Sequence, residues 1–489
     1  MGIIFKQSFR NTIITYLGFG VGAINTLFLY TRFLTPEYYG LVNVILSVSA
    51  VLMPLLAFGV PNTIVKYYSG YSRTDDAHGF LTLMLILPLF LIVPIAVLSY
   101  GSHEAIANFL SRENSIVKGY VWHIFFIGVA MAYFEVFYAW TRIQMKSVFG
   151  NFLKEVFCRV GVTLFLGLLY FDFFSVNTFL TLLVLLYVLR ALVMLSYAFY
   201  LKPPRLRFRF PPNTASVLKY STLIILGGSA AIVLLEIDKV MINQFIKIDN
   251  VAFYSVAVFI ATVIAVPSRA MHQITYPLTA ELINKGNATE LKQLYQRSSL
   301  TLFIVSGLLF VLIILNLEDL YRLLPEAYRG GFTVVFLIGI SRVYDALLGN
   351  SNALLYNSDY YTALLWMGVL LAVSTILFNL WLIPAYGLNG AAYASFAAFF
   401  IYNTLKLGFV QWKFNMLPFT LETLKILMLL FSITGGFYLV SFALHPITNI
   451  LIKSSLVVVC FVWVLYKFKI SQDIYARLHH YLKRKTPKE

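Results

Sequence analysis

The stretch RSSLTLFIVSGLLFVLIILN, residues 297–316, decides the fold class. Its one charge stands at its first position, and the rest is apolar or small. About 20 such residues wound as an α-helix reach across the hydrocarbon of a bilayer. With no water there to satisfy peptide groups, a run of this kind crosses as a helix. Applied along the chain, the same test predicts fourteen spans: 12–34, 41–66, 80–100, 119–141, 154–172, 177–200, 217–246, 251–276, 297–316, 331–355, 361–383, 390–412, 422–443 and 450–468. Composition agrees. Of 489 residues, 60% are hydrophobic and 12% charged, where an ordinary soluble domain carries about 25% charged residues. A water-soluble protein is excluded.

The formal charge of +16 is spread over short segments between apolar runs, which fits an anionic lipid surface better than nucleic acid. Lys6 and Arg10, Lys66 and Arg73, Arg142, Lys146 and Lys154, the KPPRLRFRF stretch with Lys219, Lys285, Lys292 and Arg297, and the tail from Lys467 to Lys488 fall on one face of the expected topology. The positive-inside rule makes that face cytoplasmic and, with an even number of spans, puts both termini there. The N-terminal MGIIFKQSFRN lacks the form of a cleavable signal, so the first run is expected to stay in the mature protein. Cys158 and Cys460 both lie in apolar runs and suggest packing rather than a disulfide or a metal site.

Residues 202–216, rich in Pro and Arg, form a linker-like basic segment between the sixth and seventh spans. It divides the first twelve spans into lobes of six, 1–201 and 217–412, and leaves 413–489 for two extra helices and a basic tail. The halves are similar: YYGLVNVILSVSAVLMP before SRTDD parallels FYSVAVFIATVIAVP before NKGNATE. An even number of spans per repeat gives both the same orientation, related by a pseudo-two-fold axis along the membrane normal, with substrate expected between them. The fold class is therefore an all-α membrane protein of about fourteen transmembrane helices.

Five motifs carry a family resemblance: TPEYYGL (35–41), LEIDKVMINQFI (235–246) followed by NVAFYSVA, PLTAELINKGNATEL (277–291), PEAYRGG (325–331) and LIPAYGLNGAAYAS (382–395). Together the chain resembles the polysaccharide-exporter branch of the multidrug/oligosaccharidyl-lipid/polysaccharide exporter superfamily, from about residue 8 to 468. The resemblance implies a flippase for undecaprenyl-diphosphate-linked oligosaccharide, working by alternating access at the bacterial inner membrane. Its partners would be the lipid-linked oligosaccharide, membrane lipids and the polysaccharide assembly machinery. In the last motif, Pro384 and Gly387 are expected to form a tight turn, and Gly390, Ala391, Ala392, Ala394 and Ser395 a small face for helix contact.

Charges inside spans are costly and mark partners or wet cavities. The candidate cargo cations are Arg190, Arg159, Arg342, Lys239, Arg269, Lys406 and Arg32. Guanidinium groups suit a diphosphate because they offer several directional donors. Arg342 with Asp345, Arg159 with Glu155 and Lys239 with Glu236 stand at helical spacing for ion pairs, whereas Arg190 has no acid within a turn. Arg269 and Lys406 lie nearer a span end, where long side chains reach water by snorkelling. Asp238, Glu236 and Glu135 are candidates for coupling to H+ or Na+, and Asp238 equally for a lysine on another helix. No cofactor is expected. The seven histidines have no metal-ligand spacing, no GxxxxGK[ST] phosphate loop occurs, and the breaks between spans are too short for a catalytic domain. A cation or multidrug antiporter of the same superfamily, or a membrane glycan polymerase or ligase, are the competing functions.

Overall fold

The computed structural model describes residues 2–71, 76–440, 442 and 444–468, and among these every regular element is helical. The SRTDD loop, but for its last residue, and the basic tail with His479 and His480, expected to anchor on the membrane surface, lie outside the described residues. The principal helices are α1 (Gly2–Ala23), α2 (Pro36–Leu56), α3 (Val60–Tyr71), α4 (Asp76–Ile86), α5 (Leu89–Gly101), α6 (Val121–Arg142), α7 (Cys158–Tyr170), α8 (Val176–Leu201) and α9 (Thr214–Phe245). They continue with α10 (Asp249–Thr262), α11 (Val266–Asn284), α12 (Ala288–Arg322), α13 (Phe332–Leu347), α14 (Ser351–Tyr356), α15 (Tyr361–Tyr386), α16 (Leu388–Phe414), α17 (Leu421–Tyr438) and α18 (Pro446–Lys467).

Ten helical runs among the described residues are long and apolar enough to cross a membrane. The four other expected spans also fall on helix. The run 154–172 is shared between a π-helical turn, Leu153–Phe157, and α7; 217–246 is α9 and 390–412 is α16. The run 331–355 is broken into α13 and α14 at Gly349, whose φ of +54° favours a residue without a Cβ. A side chain there would also meet the backbone nitrogen of Ser299 at 2.8 Å. Large apolar side chains such as Phe90, Trp366, Trp381 and Phe431 stand exposed on these helices, as lipid-facing surfaces require. The chain is an all-α, multi-pass membrane protein.

Local chemistry sets the helix ends. Thr35 caps α2 by accepting from the Tyr38 backbone, with Pro36 at the first helical position. Gly387 takes φ +58° between α15 and α16, and a Cβ on Gly390 would come within 2.0 Å of the Leu382 carbonyl oxygen. The small face expected in LIPAYGLNGAAYAS is therefore used for close helix approach.

The described chain divides into two compact units. One holds the residues up to Val256 together with Gly368–Ala398. Its core gathers Ile64, Phe80, Phe134, Trp140 and Met194 from α3, α4, α6 and α8. Within it α9 is fastened to earlier helices at three levels. Near its start Ser221 donates to the Phe58 carbonyl (2.7 Å) and accepts from Thr63 (3.1 Å). Midway Ser47 donates to Glu236 (2.6 Å). Near its end Asn114 donates to the carbonyls of Asn243 (2.8 Å) and Ile246 (3.0 Å), while Asn243 donates to that of Leu110 (2.8 Å).

The other unit holds Ala257–Met367 and the residues from Phe399 onward. Its axis is α12, whose Phe303, Ile304, Val311 and Leu315 pack on Ile426, Leu430 and Ile433 of α17 and on Val457, Phe461 and Leu465 of α18. The i, i+4 spacing of the α18 residues gives one buried stripe, the ordinary geometry for a helix laid against one neighbour.

Candidate functional site

In the first unit the charged candidates cluster along α6, α7, α8 and α9. Arg190 projects from α8 and is buried; its guanidinium lies 4.3 Å from the ring centre of Phe134 and 4.7 Å from that of Tyr187. Its Nε has no partner, and no carboxylate pairs with it among the described residues. Aromatic faces thus hold a guanidinium whose remaining N–H groups are unspent.

Arg159 follows a π-helical turn, an element that recurs at functional positions. It pairs with Glu155 at 3.2 Å, as its spacing predicts. Its guanidinium runs along α1, where a Cβ on Gly22 would stand 3.2 Å from Nε. The second π-helical turn, Ile24–Leu29, presents Asn25 to the same place. Asn25 donates to the Arg159 carbonyl (2.8 Å) and accepts from Thr163 (2.7 Å). Glu135 on α6 takes Lys154 at 2.6 Å. Both line a cavity of about 200 Å³ with Arg142, Asn62 and Pro54.

Glu236 and Lys239 pair at 2.8 Å as predicted. Asp238, between them in sequence, faces elsewhere. It is buried and accepts three neutral hydrogen bonds: from Tyr254 (2.5 Å), Ser395 (2.5 Å) and Asn379 (2.8 Å). Among the described residues no lysine on another helix pairs with it, and the Oδ1 of Asn379 has no partner. A carboxylate served only by neutral donors, beside an orphaned carbonyl oxygen, has the oxygen chemistry to take a proton or a small hard cation.

In the second unit Lys406 corrects an expectation. It does not snorkel: it is fully buried, bonded to Asp345 (3.2 Å) and Asn352 (3.1 Å), with the Tyr402 ring 4.8 Å away. Asp345 thus takes a salt bridge from α16, while Arg342, one turn away on its own helix, lies with its guanidinium 4.7 Å from the centre of Phe399. The reason is position, since the facing helix brings the ammonium directly to the carboxylate. Arg269 on α11 and Arg32 after α1 are exposed.

Sequence reasoning did not find Tyr254 and Asn379, and gave Ser395 only a packing role. Nothing in their local spacing announces a shared carboxylate, because the three donors come from α10, α15 and α16. No cluster of three or more metal-ligating side chains occurs among the described residues.

With this geometry established, the relationships to known proteins can be stated. The family model described as polysaccharide biosynthesis protein matches residues 4–283. The chain belongs to that family. Among solved structures, the chain is similar to one described as "Lipid II flippase MurJ, inward closed conformation", with a TM-score of 0.75 and 13% identity over 94% of this chain and 99% of that one. It is also similar to a multidrug resistance MATE family transporter of the MOP superfamily in an inward-facing conformation, with a TM-score of 0.63 and 14% identity over 83% and 94%. A MOP superfamily transporter from Pyrococcus furiosus, whose description speaks of reversed binding-pocket polarity, gives 0.57 and 14% over 85% and 97%. No curated protein sequence matches. Identities this low establish the fold alone, and the family is that of polysaccharide biosynthesis proteins.

Proposed function

We propose that this transporter flips undecaprenyl-diphosphate-linked oligosaccharide units from the cytoplasmic to the periplasmic leaflet of a bacterial inner membrane for surface polysaccharide synthesis. Two six-helix lobes, 1–201 and 217–412, alternate access, and both termini are cytoplasmic. The observation that carries the proposal is Arg190: a guanidinium buried in a membrane helix, held by aromatic faces, with donor groups left over for a diphosphate. Family membership supports the same cargo class. So does the likeness to a protein named as a lipid flippase.

Coupling to H+ or Na+ runs through Asp238. The rival cation antiporter needs acids free to meet a cationic cargo, but Glu135, Glu155, Glu236 and Asp345 are each paired with a base, and Asp238 is buried with three hydrogen-bond donors on it. That favours an anionic cargo.

Complementation of an export-deficient strain tests the reading. Arg190→Ala is expected to abolish export while the protein still accumulates in the membrane, and Arg190→Lys to restore part of it, since charge is kept but the planar fork is lost. Normal export by an abundant Arg190→Ala protein would remove Arg190 from the cargo path.

A further inference from the structure

Away from the cargo candidates, the second unit contains a larger cavity, of about 720 Å³, between the C-terminal part of α12 and the α17–α18 hairpin. Its charged lining is Glu318, Asp319 and Arg322 from α12 and Lys453 from α18. The acids are already engaged. Arg322 meets Glu318 at 2.5 Å and Asp319 at 3.6 Å, and Asn449 donates to Asp319 at 2.5 Å.

Lys453 is different. It is buried, about 10 Å along α18 from its first residue, and donates one hydrogen bond, to the carbonyl of Leu315 at 2.9 Å. No carboxylate pairs with it among the described residues, so two of its three N–H groups and its charge are uncommitted. A second, independent feature lies beside it. The Oδ1 of Asn449, itself buried and on the cavity wall, has no partner. The site therefore offers a buried cationic donor and a buried orphan acceptor. Exposed Tyr438 and Phe332 stand on the same wall, as amphipathic and apolar rings do at the level of lipid headgroups.

We infer that this cavity binds the headgroup of a phosphodiester lipid that also carries a hydrogen-bond donor. The phosphate sits against Lys453 and Arg322, and an ammonium or hydroxyl reaches Asn449 Oδ1. The inference is independent of the proposed cargo.

Native mass spectrometry of the delipidated full-length protein in detergent tests it, with added dilauroyl phosphatidylethanolamine, dilauroyl phosphatidylcholine or inorganic phosphate. The ethanolamine lipid is expected to bind at least fivefold better than the choline lipid, whose headgroup lacks an N–H donor. Lys453→Met should lower its occupancy at least fivefold, and Lys453→Arg should retain half or more. Asn449→Ala, which keeps the cation, should erase the preference between the two lipids. Equal lipid binding by the wild type and Lys453→Met would overturn the inference. So would inorganic phosphate binding without lipid, which would make this a free-anion site. If Lys453→Met only destabilises the protein, is restored by Asp319→Asn and leaves lipid occupancy unchanged, Lys453 is a structural charge and the inference fails.

Discussion

Two carboxylates, one in each compact unit, are held in opposite ways. Asp345 is met by the fully buried ammonium of Lys406, so its charge is cancelled inside the protein. Among the described residues Asp238 receives the hydroxyls of Tyr254 and Ser395 and the amide of Asn379 and has no salt-bridge partner. A matched ion pair has little reason to exchange anything, because separating it strands both charges. A carboxylate among neutral donors can gain and lose a small cation or a proton while its hydrogen-bond cage stays in place. The difference predicts structural work for Asp345 and, on the proposed function, coupling work for Asp238.

The sharpest way to break this comparison is to remove the lysine. Lys406→Met should destabilise the protein by about 2–3 kcal/mol, less than the loss of a fully buried pair because Asp345 is 32% exposed, with a matching fall in membrane abundance. Adding Asp345→Asn should recover most of it. Thermal unfolding in detergent reads both effects, and a stable single variant would show that Asp345 does not depend on Lys406.

Asp238→Asn should behave in the opposite manner. The protein should fold with a loss of about 1–3 kcal/mol from mismatched hydrogen bonds. Export should fall about tenfold and lose its dependence on the coupling ion, a loss in rate near 1.4 kcal/mol. If Asp238→Asn proves as unstable as Lys406→Met and transports normally per molecule, the two carboxylates do the same structural work.

The α9 pair next to Asp238 gives the smallest effect. Glu236→Gln frees Lys239, but this partly exposed pair should be worth less than about 1 kcal/mol, with export within twofold of wild type. A large defect would move the coupling role from Asp238 to Glu236.

The multi-pass helical fold was legible because hydrocarbon imposes one strong rule on every span, and 297–316 obeys it without help from neighbours. Pairs fixed by helical spacing, Arg159 with Glu155 and Lys239 with Glu236, were legible for the same local reason. Lys406 was misjudged because its depth is set by α13 and α14, which supply Asp345 and Asn352. The cage of Asp238 was hidden because Tyr254, Asn379 and Ser395 come from three separated helices. Lys453 was passed over as a charge near the start of the last span; only the cavity beside it distinguishes it from an interfacial anchor.

The measurement that bears most directly on the central claim is transport into proteoliposomes. A fluorescent lipid-diphosphate-linked oligosaccharide and a cationic drug would be offered side by side to the wild type and to Arg190→Ala, with and without an imposed Na+ or H+ gradient. The account predicts that the wild type flips the oligosaccharide lipid and not the drug, that a gradient accelerates the flipping, and that Arg190→Ala abolishes it. Drug transport without movement of the oligosaccharide lipid would contradict the proposal and make the protein a cation exporter.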